Sequence, residues 1–399
     1  MRIALITREY PPDTSWGGIS THYEAFSKGL ADVGCRVEIF TQGIESASIE
    51  KFNNITVHRV LPRQWLIGKR VGGDLAGGSL STIGLFSLAL AYEVYKAFSI
   101  AHKEEPFDIV EGHEHLGINS LINMKYSRTM PTITRYQTAY DSLVSRKLAN
   151  WPRSYLVRLL ELISLKKAGY RIATSKHVDN LARIDFPGLS SADRIIPNIA
   201  KLADNEIANC DSTDKELLIL FVGRMMPGHK NPDMAAKAFC QIANQFPDWS
   251  IEFSGLDISI GNNKTAWTEC QSILKNHEGR YKYHGVLNQE EVGNLYRKAK
   301  IIIMPSTIES YGLVALEAMA YGCVPIVSNN TALPEVVGDA GVIFENGSHE
   351  DLVTKLSLLL SDEKLNDRAE ACKKRIKEKF NMKKMVLNNI EYFESILNN

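Results

Sequence analysis

The sequence predicts an α/β protein of two doubly wound domains, each a parallel sheet covered by helices on both faces. Short runs of β-branched residues alternate with longer helical patterns along the chain, which is typical of strand–helix–strand crossover units. At 399 residues the chain exceeds one ordinary hydrophobic core. A polar stretch after Ile199 separates two halves that share this alternation. We therefore expect domains at 1–197 and 198–380, facing a cleft, and a terminal helix at 381–399 that crosses back to the first domain.

The individual strands and helices follow from local patterns. Strands are expected where β-branched residues cluster between turn residues, and helices where apolar residues recur at helical spacing. In the first half the predicted strands are 2–7, 36–41, 56–59, 109–111, 132–135 and 171–174, and the predicted helices are 21–33, 82–103 and 154–168. In the second half the predicted strands are 217–222, 249–254, 281–284, 300–304, 324–328 and 341–344, and the predicted helices are 232–245, 266–276, 289–298 and 311–321. An apolar stripe predicts the terminal helix at 382–397.

The composition is that of an ordinary globular protein, with 44% hydrophobic and 23% charged residues. The formal net charge of zero argues against a nucleic-acid partner. Six scattered cysteines without a C-x-x-C spacing are expected to be free thiols in a reducing cytoplasm. The longest apolar stretch, 83–92, is shorter than the roughly 20 residues of a membrane span. We therefore expect a cytoplasmic protein, with peripheral contact at the inner face of a membrane as a further option.

A glycine-rich segment in the first half allows two interpretations. Trp65, Lys69 and Arg70 would suit a surface that contacts a membrane carrying a lipid-linked acceptor. The surrounding glycines favour a mobile acceptor loop, which is the interpretation that we prefer. These glycines are Gly68, Gly72, Gly73, Gly77 and Gly78.

The most informative motif places Glu309 and Glu317 around the start of a predicted helix. Pro305 ends the preceding strand, Ser310 is the expected N-cap, and Gly322 fits a C-terminal cap. The amides of the first helical residues would then point outward as an anion site. These residues are Tyr311, Gly312 and Leu313.

Glu317 lies among apolar neighbours about two turns into this predicted helix, where an unpartnered carboxylate is costly. A ribose diol, beside a diphosphate resting on the helix N-terminus, would satisfy both features. The alternative is a buried helix whose glutamate caps a neighbouring loop.

Three further motifs follow predicted strands. Gly17 and Gly18 enter a helix after the first strand and permit close backbone approach to a phosphate or sugar, although G-x-G-x-x-G is absent here. His113 ends another parallel strand, with His115 as a second candidate, and no third ligand suggests a metal site. Arg224 and Lys230 share a loop suited to phosphate, or else form an exposed basic loop.

With these motifs the sequence resembles the retaining GT-B glycosyltransferases, in particular their family 4. Glu309 to Glu317 is similar to the E-x7-E element of that family, and Gly223-Arg224 with Lys230 is similar to its G-R-x-x-P-x-K turn. Further similar segments are Ile196-Pro-Asn198, Tyr283-His-Gly285-Val286, 333–341 and Gly17-Gly18. The resemblance implies two Rossmann-like domains, an acceptor-side domain followed by a nucleotide-sugar-binding domain.

The resemblance also implies roles for single residues. Arg224 and Lys230 would neutralise the donor diphosphate, while Glu309 would bind the donor sugar and Glu317 the ribose. The amides of the Ser310-Tyr311-Gly312-Leu313 segment would hold phosphate or sugar hydroxyls, and the backbone near Val286 would contact the base. Gly17 and Gly18 would approach the phosphate. His113 would contact the transferred sugar or the acceptor.

Two departures from the family pattern leave questions open. The Arg224 turn has one extra residue, so His229 occupies the usual lysine spacing, and Lys230 is preferred because Asn231 after it also fits. The strand end at Arg135, Gln137 and Thr138 has no family counterpart that we can assign, and these residues are acceptor candidates.

The expected function is a retaining glycosyltransferase of the hexosyltransferase type. It would move a sugar from a nucleotide-diphosphate sugar, with uridine the expected base, to a sugar or glycoconjugate acceptor, without metal or other cofactor. Glu309 is the candidate for a carboxylate nucleophile. We prefer the mechanism in which the leaving phosphate assists acceptor deprotonation. The alternatives are a nucleotide-sugar epimerase or hydrolase on this architecture, and a non-catalytic sugar-nucleotide-binding subunit.

Overall fold

The computed structural model describes residues 1–14, 17–62, 83–138, 154–201, 215–261 and 263–398. The chain forms two compact units. Unit 1 comprises Met1–Lys201 together with Met382–Asn399, and unit 2 comprises Leu202–Asn381.

Unit 1 contains an eight-stranded sheet in the order β3-β4-β2-β1-β5-β6-β7-β8. All neighbouring strands in it run parallel except β3, which pairs antiparallel with β4 at the edge. The central strands are buried along their whole length, as expected when helices cover both faces of a sheet. The strands are β1 Arg2–Ile6, β2 Arg36–Gln42, β3 Ser48–Phe52, β4 Ile55–Val60, β5 Ile109–His113, β6 Thr132–Tyr136, β7 Tyr170–Ala173 and β8 Arg194–Ile195.

Helices of unit 1 connect these strands in the manner of crossover units. They are α1 Gly18–Asp32, α2 Ile83–Glu104, α3 Ser120–Tyr126, α4 Ser154–Lys166 and α5 Lys176–Asp185. Within the described residues, α2 is the one helix long and apolar enough to cross a membrane, and half of its most apolar window is buried. Its Phe86, Leu90 and Phe98 belong to a hydrophobic core with Ile6 and Phe40 of the sheet. In this structure α2 is therefore a core helix of unit 1.

Unit 2 is built around a six-stranded parallel sheet in the order β13-β10-β9-β14-β15-β16, beside a small β11–β12 hairpin. The strands are β9 Glu216–Val222, β10 Ser250–Ser254, β11 Ser259–Gly261, β12 Lys264–Thr265, β13 Tyr281–Tyr283, β14 Ala299–Met304, β15 Val324–Ser328 and β16 Val342–Phe344. The helices are α6 Pro232–Ile242, α7 Ala266–Leu274, α8 Gln289–Lys298, α9 Leu313–Ala320, α10 Leu333–Val337, α11 His349–Leu360 and α12 Leu365–Lys379.

The terminal helix, α13 Met382–Leu397, packs on α1 of unit 1. The rings of Phe393 and Phe26 pack edge to face, with their centroids 6.3 Å apart. Gly29 provides the room for this approach, since a Cβ there would lie 2.4 Å from a methyl group of Val386. Larger side chains at position 29 would push the two helices apart.

The predicted α/β architecture is confirmed, and several elements lie close to their predicted positions. The patterns failed to predict β3, a short and largely exposed edge strand, and they also failed for the short strands β8, β11 and β12 and for the helices α3, α5, α10, α11 and α12. The expectations about Trp65, Lys69, Arg70 and their neighbouring glycines lie outside the described residues, as does most of the polar stretch after Ile199 that forms the joint between the two halves.

Candidate donor site and acceptor-side residues

Two loops meet at the carboxyl edge of the unit 2 sheet. Because β9 and β14 are parallel neighbours, the loops that follow them leave the sheet side by side. The Asn231 side-chain amide donates to the Pro305 carbonyl at 2.8 Å, and the Thr307 amide donates to the His229 carbonyl at 2.8 Å. Asn231 adopts a left-handed conformation, with φ of 52°, at the N-cap of α6. These bonds hold the loop of Lys230 against the loop of Glu309.

Lys230 and Glu309 form an ion pair across these loops. The exposed fractions of their side chains are 31% and 13%, so the lysine reaches solvent while the carboxylate is largely covered. His229, the residue before Lys230, accepts a hydrogen bond from the second loop through its backbone carbonyl. The pKa of the His229 imidazole is lowered, mainly by burial and further by the charge of Lys230. Of the two basic candidates at this turn, Lys230 is therefore the one that contacts Glu309.

The helix after Glu309 begins later than predicted. Its first residue is Leu313 and its N-cap is Gly312, with φ of 98°, so the expectation that Ser310 is the N-cap was wrong. Gly312 fits for two reasons: L-residues rarely adopt this φ, and a Cβ would lie 2.4 Å from a methyl group of Leu333. The first amides of α9, beginning with Leu313, have no acceptor within the helix and form its positive end.

Gly322 ends this helix as predicted. Its φ is 77°, its amide donates to the Met319 carbonyl at 3.0 Å, and the Cys323 amide donates to the Ala318 carbonyl at 3.0 Å. This pair of bonds is a Schellman motif, which satisfies carbonyls that a helix end would otherwise leave free.

Glu317 is the fifth residue of α9, just over one turn from its start. A small part of its surface is exposed, yet burial of the carboxyl raises its pKa from 4.5 to about 7. The Tyr296 hydroxyl donates to Glu317 Oε2 at 3.3 Å. Sequence patterns did not single out Tyr296, because it lies on another helix, α8, and no motif connects the two positions.

The other candidates of unit 2 lie on the loops at the same edge of its sheet. Arg224 is exposed in the loop after β9, and Val286, which is 69% exposed, follows β13. The Gly255 amide and the Ser254 hydroxyl donate to the Gly285 carbonyl at 2.8 and 3.1 Å, which fixes the backbone beside Val286.

In unit 1, Gly17 and Gly18 follow β1 in the chain and lead into α1, as predicted. Helix α1 begins at Gly18, both glycines are exposed, and Gly17 has an extended backbone. The Gly17 carbonyl accepts the Ser20 hydroxyl at 2.7 Å and the Thr21 amide at 3.3 Å. The glycine backbone is thus accessible at the start of a 15-residue helix.

His113 ends β5 and is fully buried. Its Nε2 accepts the Arg8 amide at 3.3 Å, which assigns the imidazole proton to Nδ1. Among the described residues Nδ1 has no hydrogen-bond partner. Burial lowers the pKa of His113 well below its usual value, and also lowers that of His115, to about 4, so both rings are neutral at pH 7.

Arg135, one of the acceptor candidates, is fully buried and bonded within unit 1. Its guanidinium donates to Glu111 at 2.7 Å, to the Ile196 carbonyl at 2.8 Å and to Asn389 of α13 at 2.8 Å. Contrary to the acceptor interpretation, the structure gives Arg135 a structural role, because these contacts join β5, the end of unit 1 before the joint, and the terminal helix.

Gln137 and Thr138 lie just beyond β6 and are held by a carboxylate that no sequence motif identified. Glu114 accepts both of their backbone amides, at 2.9 and 2.8 Å. Burial raises the pKa of Glu114 to about 7 despite these bonds. The Gln137 and Asn198 side-chain amides also pair reciprocally, at 2.8 and 3.2 Å. Little in the sequence indicated this role for Glu114, apart from its place beside His113 at the end of a predicted strand.

In the part of the chain that the structure describes, no three His, Cys, Asp or Glu side chains cluster in a way that could hold a metal ion. The five cysteines in that part, Cys35, Cys240, Cys270, Cys323 and Cys372, are free thiols.

Comparison with known proteins addresses the family directly. Residues 204–379, almost the whole of unit 2, match the sequence model of the family described as glycosyl transferases group 1. Unit 2 therefore carries a segment of the group 1 type, and the chain is a glycosyltransferase. An uncharacterised glycosyltransferase of Methanocaldococcus jannaschii is 23% identical to this transferase over 351 residues, which cover 84% of this chain and 83% of that relative.

Solved structures show the fold of this glycosyl transferase. Sucrose-phosphate synthase from Thermosynechococcus elongatus superposes with a TM-score of 0.74 at 16% identity, covering 100% of this chain and 99% of that one. The HepE protein of Anabaena, in complex with UDP and glucose, gives a TM-score of 0.69 at 14% identity, covering 99% and 100%. The fold is therefore of the GT-B type, with two Rossmann-like units.

Proposed function

We propose that this transferase moves a sugar, with retention of anomeric configuration, from a nucleotide-diphosphate sugar to a hydroxyl of a sugar or glycoconjugate acceptor. The observation that carries the proposal is the ion pair of Lys230 and Glu309 beside the N-terminus of α9, at the carboxyl edge of a parallel sheet. This edge is where open α/β sheets bind ligands, and the positive end of a helix favours a diphosphate.

The donor would be bound by residues of unit 2. Lys230 and the exposed Arg224 supply positive charge for the diphosphate, and the first amides of α9 supply hydrogen-bond donors. Glu309 is available to sugar hydroxyls, and Glu317 to the ribose diol. Backbone at Val286 is available to the base.

We propose UDP as the nucleotide. The HepE protein, which shares the fold, has been solved with UDP and glucose. In this chain the exposed backbone at Val286 follows a segment fixed by hydrogen bonds, which suits contacts to the edge of a base.

The chemistry we propose is mainly electrostatic. The acceptor oxygen attacks the anomeric carbon as the bond from that carbon to the diphosphate oxygen breaks, and the acceptor proton passes to the departing phosphate on the same face. Lys230, Arg224 and the α9 N-terminus stabilise the charge that grows on the phosphate. Glu309 as a nucleophile is less favoured, because its negative charge is already stabilised by Lys230.

Unit 1 is proposed to recognise the acceptor at the carboxyl edge of its own sheet. Gly17 and Gly18, which the resemblance assigns to the donor phosphate, offer accessible backbone, and the Nδ1 proton of His113 offers a hydrogen-bond donor to the transferred sugar or acceptor. Gln137 and Thr138 remain acceptor candidates on a strand end fixed by Glu114. Ligand contact with His113 requires the surrounding side chains to move, since the ring is fully buried.

We also propose that the protein works in the cytoplasm, with peripheral contact at the inner face of the membrane. The free thiols of the described cysteines fit a reducing compartment. Fractionation of cells into cytosol and membranes, before and after a high-salt wash, tests this placement. Recovery only as an integral membrane protein would contradict it.

The experiment that tests the proposed function is incubation with a panel of UDP-, ADP- and GDP-sugars, with and without pooled sugar and glycolipid acceptors, while nucleotide release is monitored. Acceptor-dependent release of UDP is the expected result. Equal release without acceptor would favour a hydrolase, and absence of nucleotide binding across the panel would contradict the proposal.

A further inference from the structure

The Glu317 carboxylate is contacted by the side chain of Tyr296, a residue that has no part in the proposed function as stated so far. Within the described residues its hydrogen-bond donor is the phenol of Tyr296, 3.3 Å from Oε2. This contact is a long hydrogen bond, since the usual O–H···O range is about 2.5–3.0 Å. An ionised carboxylate has about four lone-pair sites, so a single donor leaves capacity for further hydrogen bonds from a ligand.

Tyr296 is itself held firmly. Its carbonyl accepts the Lys215 ammonium at 2.6 Å, and the same ammonium donates to the Ala299 carbonyl at 2.8 Å, so Lys215 caps the C-terminal end of α8. The Tyr296 ring is 2% exposed and lies 5.8 Å from the ring of Tyr321. The phenol therefore reaches Glu317 from a fixed position, and burial, which raises its pKa well above the usual value, keeps it a hydrogen-bond donor.

We propose that Tyr296 is a positioning residue, whose hydroxyl holds one oxygen of the Glu317 carboxylate so that the other oxygen accepts hydrogen bonds from the ribose of a bound nucleotide. This inference rests on the proposed function. Its physical basis is that a buried carboxylate without a donor protonates readily, and a protonated carboxyl would offer a hydrogen where the ribose hydroxyls need an acceptor.

Replacement of the phenol by a phenyl ring isolates this effect. Tyr296→Phe keeps the ring packing and the backbone contact with Lys215, and it removes only the hydroxyl. The affinity for UDP is then expected to fall about tenfold, as for the loss of a hydrogen bond to a charged group. The affinity for 2′,3′-dideoxy-UDP, which lacks the diol, should stay the same.

Isothermal titration calorimetry of the full-length protein with UDP and with 2′,3′-dideoxy-UDP measures this difference. Tyr281→Phe is the matched control: Tyr281 is a partly buried tyrosine of the same unit at the amino end of β13, and both affinities should be unchanged. In a Glu317→Gln background, adding Tyr296→Phe should cause no further loss of UDP affinity, because the tyrosine acts through the carboxylate.

The outcomes separate the two proposals. If the wild-type protein prefers UDP over its dideoxy analogue and Tyr296→Phe keeps the same preference, the positioning role is overturned. The proposed function would then still stand. Equal losses for both nucleotides would show a merely structural tyrosine, and equal wild-type affinities would show that the ribose is not recognised; either result overturns the inference. Wild-type protein that binds no nucleoside diphosphate would overturn both proposals.

Discussion

At the scale of residues, the candidate donor site is a small set of charges arranged by two loops. Lys230 and Glu309 form an ion pair, and because an ammonium has three donors, Lys230 can contact a phosphate while retaining the carboxylate. Glu317 differs, because burial raises the pKa of its carboxyl to about 7. Each of these properties predicts a measurable effect on nucleotide binding.

Lys230→Ala and Arg224→Ala should each weaken UDP binding by about 1.5 to 3 kcal/mol, the range for a hydrogen bond to a charged group. The affinity for uridine, which has no phosphate, should change little. Calorimetry with both ligands checks this, with Lys237→Ala as a control, since Lys237 is an exposed lysine on α6 that pairs with Asp233. Unchanged UDP affinity in both loop variants would remove these residues from the site.

Glu317 should make UDP affinity depend on pH. Ribose hydroxyls donate to the charged carboxylate, so binding favours the deprotonated form, and affinity should rise as pH increases through about 7. In Glu317→Gln this contribution disappears, and the remaining slope reports the titration of the ligand. Titrations at pH 6, 7 and 8 measure the difference between the variants.

The alternative interpretation of Glu317 is that it caps a neighbouring loop and has only a structural role. In that case Glu317→Gln would lower the thermal midpoint while leaving the UDP affinity of the folded protein and its pH dependence as in the wild type. Comparing the melting curves with the titrations distinguishes a ligand contact from a cap.

At the scale of elements, the site depends on how α9 starts. The left-handed Gly312 ends the loop and starts the helix, and its missing Cβ lets Leu333 of α10 pack against it. The sequence indicated a strand, loop and helix here but predicted the wrong N-cap. Ser310 has the side chain of a capping residue, whereas the chain makes its turn at a glycine two residues later, and local preferences could not show that Leu333 would contact it.

Gly312→Ala should destabilise the protein and reduce UDP affinity, because the new methyl group is both strained at φ of 98° and in collision with Leu333. Gly322→Ala provides the control. Its φ of 77° imposes similar strain, while the nearest side-chain atoms lie at 3.6 Å and the position is at the other end of α9. We expect Gly322→Ala to cost about 1–2 kcal/mol of stability and to retain UDP affinity.

A Gly312→Ala variant as stable as Gly322→Ala, with wild-type UDP affinity, would contradict this account of the α9 start. Chemical denaturation gives the free energies of unfolding, and calorimetry gives the affinities.

The elements also show which features a sequence can predict. Alternating β-branched and helical patterns predicted most strands of both sheets, because buried parallel strands are continuous apolar runs. The pattern failed for β3, in which three of five residues, Ser48, Glu50 and Lys51, are charged or polar and which pairs only at the edge of the sheet. The contacts of Tyr296 with Glu317 and of Arg135 with Asn389 join residues far apart in the sequence, and no local signal encodes them.

At the scale of the whole molecule, the two units divide the predicted motifs between them. Unit 2 holds Lys230, Arg224 and the start of α9, and almost all of it matches the family model. The acceptor candidates of unit 1 lie outside the residues that this model matches. Arg135 is instructive here, because its position at a strand end suggested a ligand contact, yet its guanidinium bonds to the Ile196 carbonyl and to Asn389 of α13, both within unit 1.

Sugar transfer by the whole protein should proceed without a divalent ion. Lys230, Arg224 and the N-terminus of α9 supply positive charge where a metal would otherwise neutralise the diphosphate. Acceptor-dependent nucleotide release should therefore continue in excess EDTA. Release that stops with the chelator and returns with Mg²⁺ or Mn²⁺ would show that these residues are insufficient.

The most direct test of the central claim is a crystal structure of the protein with UDP. The account predicts diphosphate oxygens within hydrogen-bond distance of Lys230 Nζ and of the first amides of α9, with the ribose hydroxyls on the Glu317 carboxylate. A diphosphate bound away from both the Lys230 loop and the α9 N-terminus would contradict it.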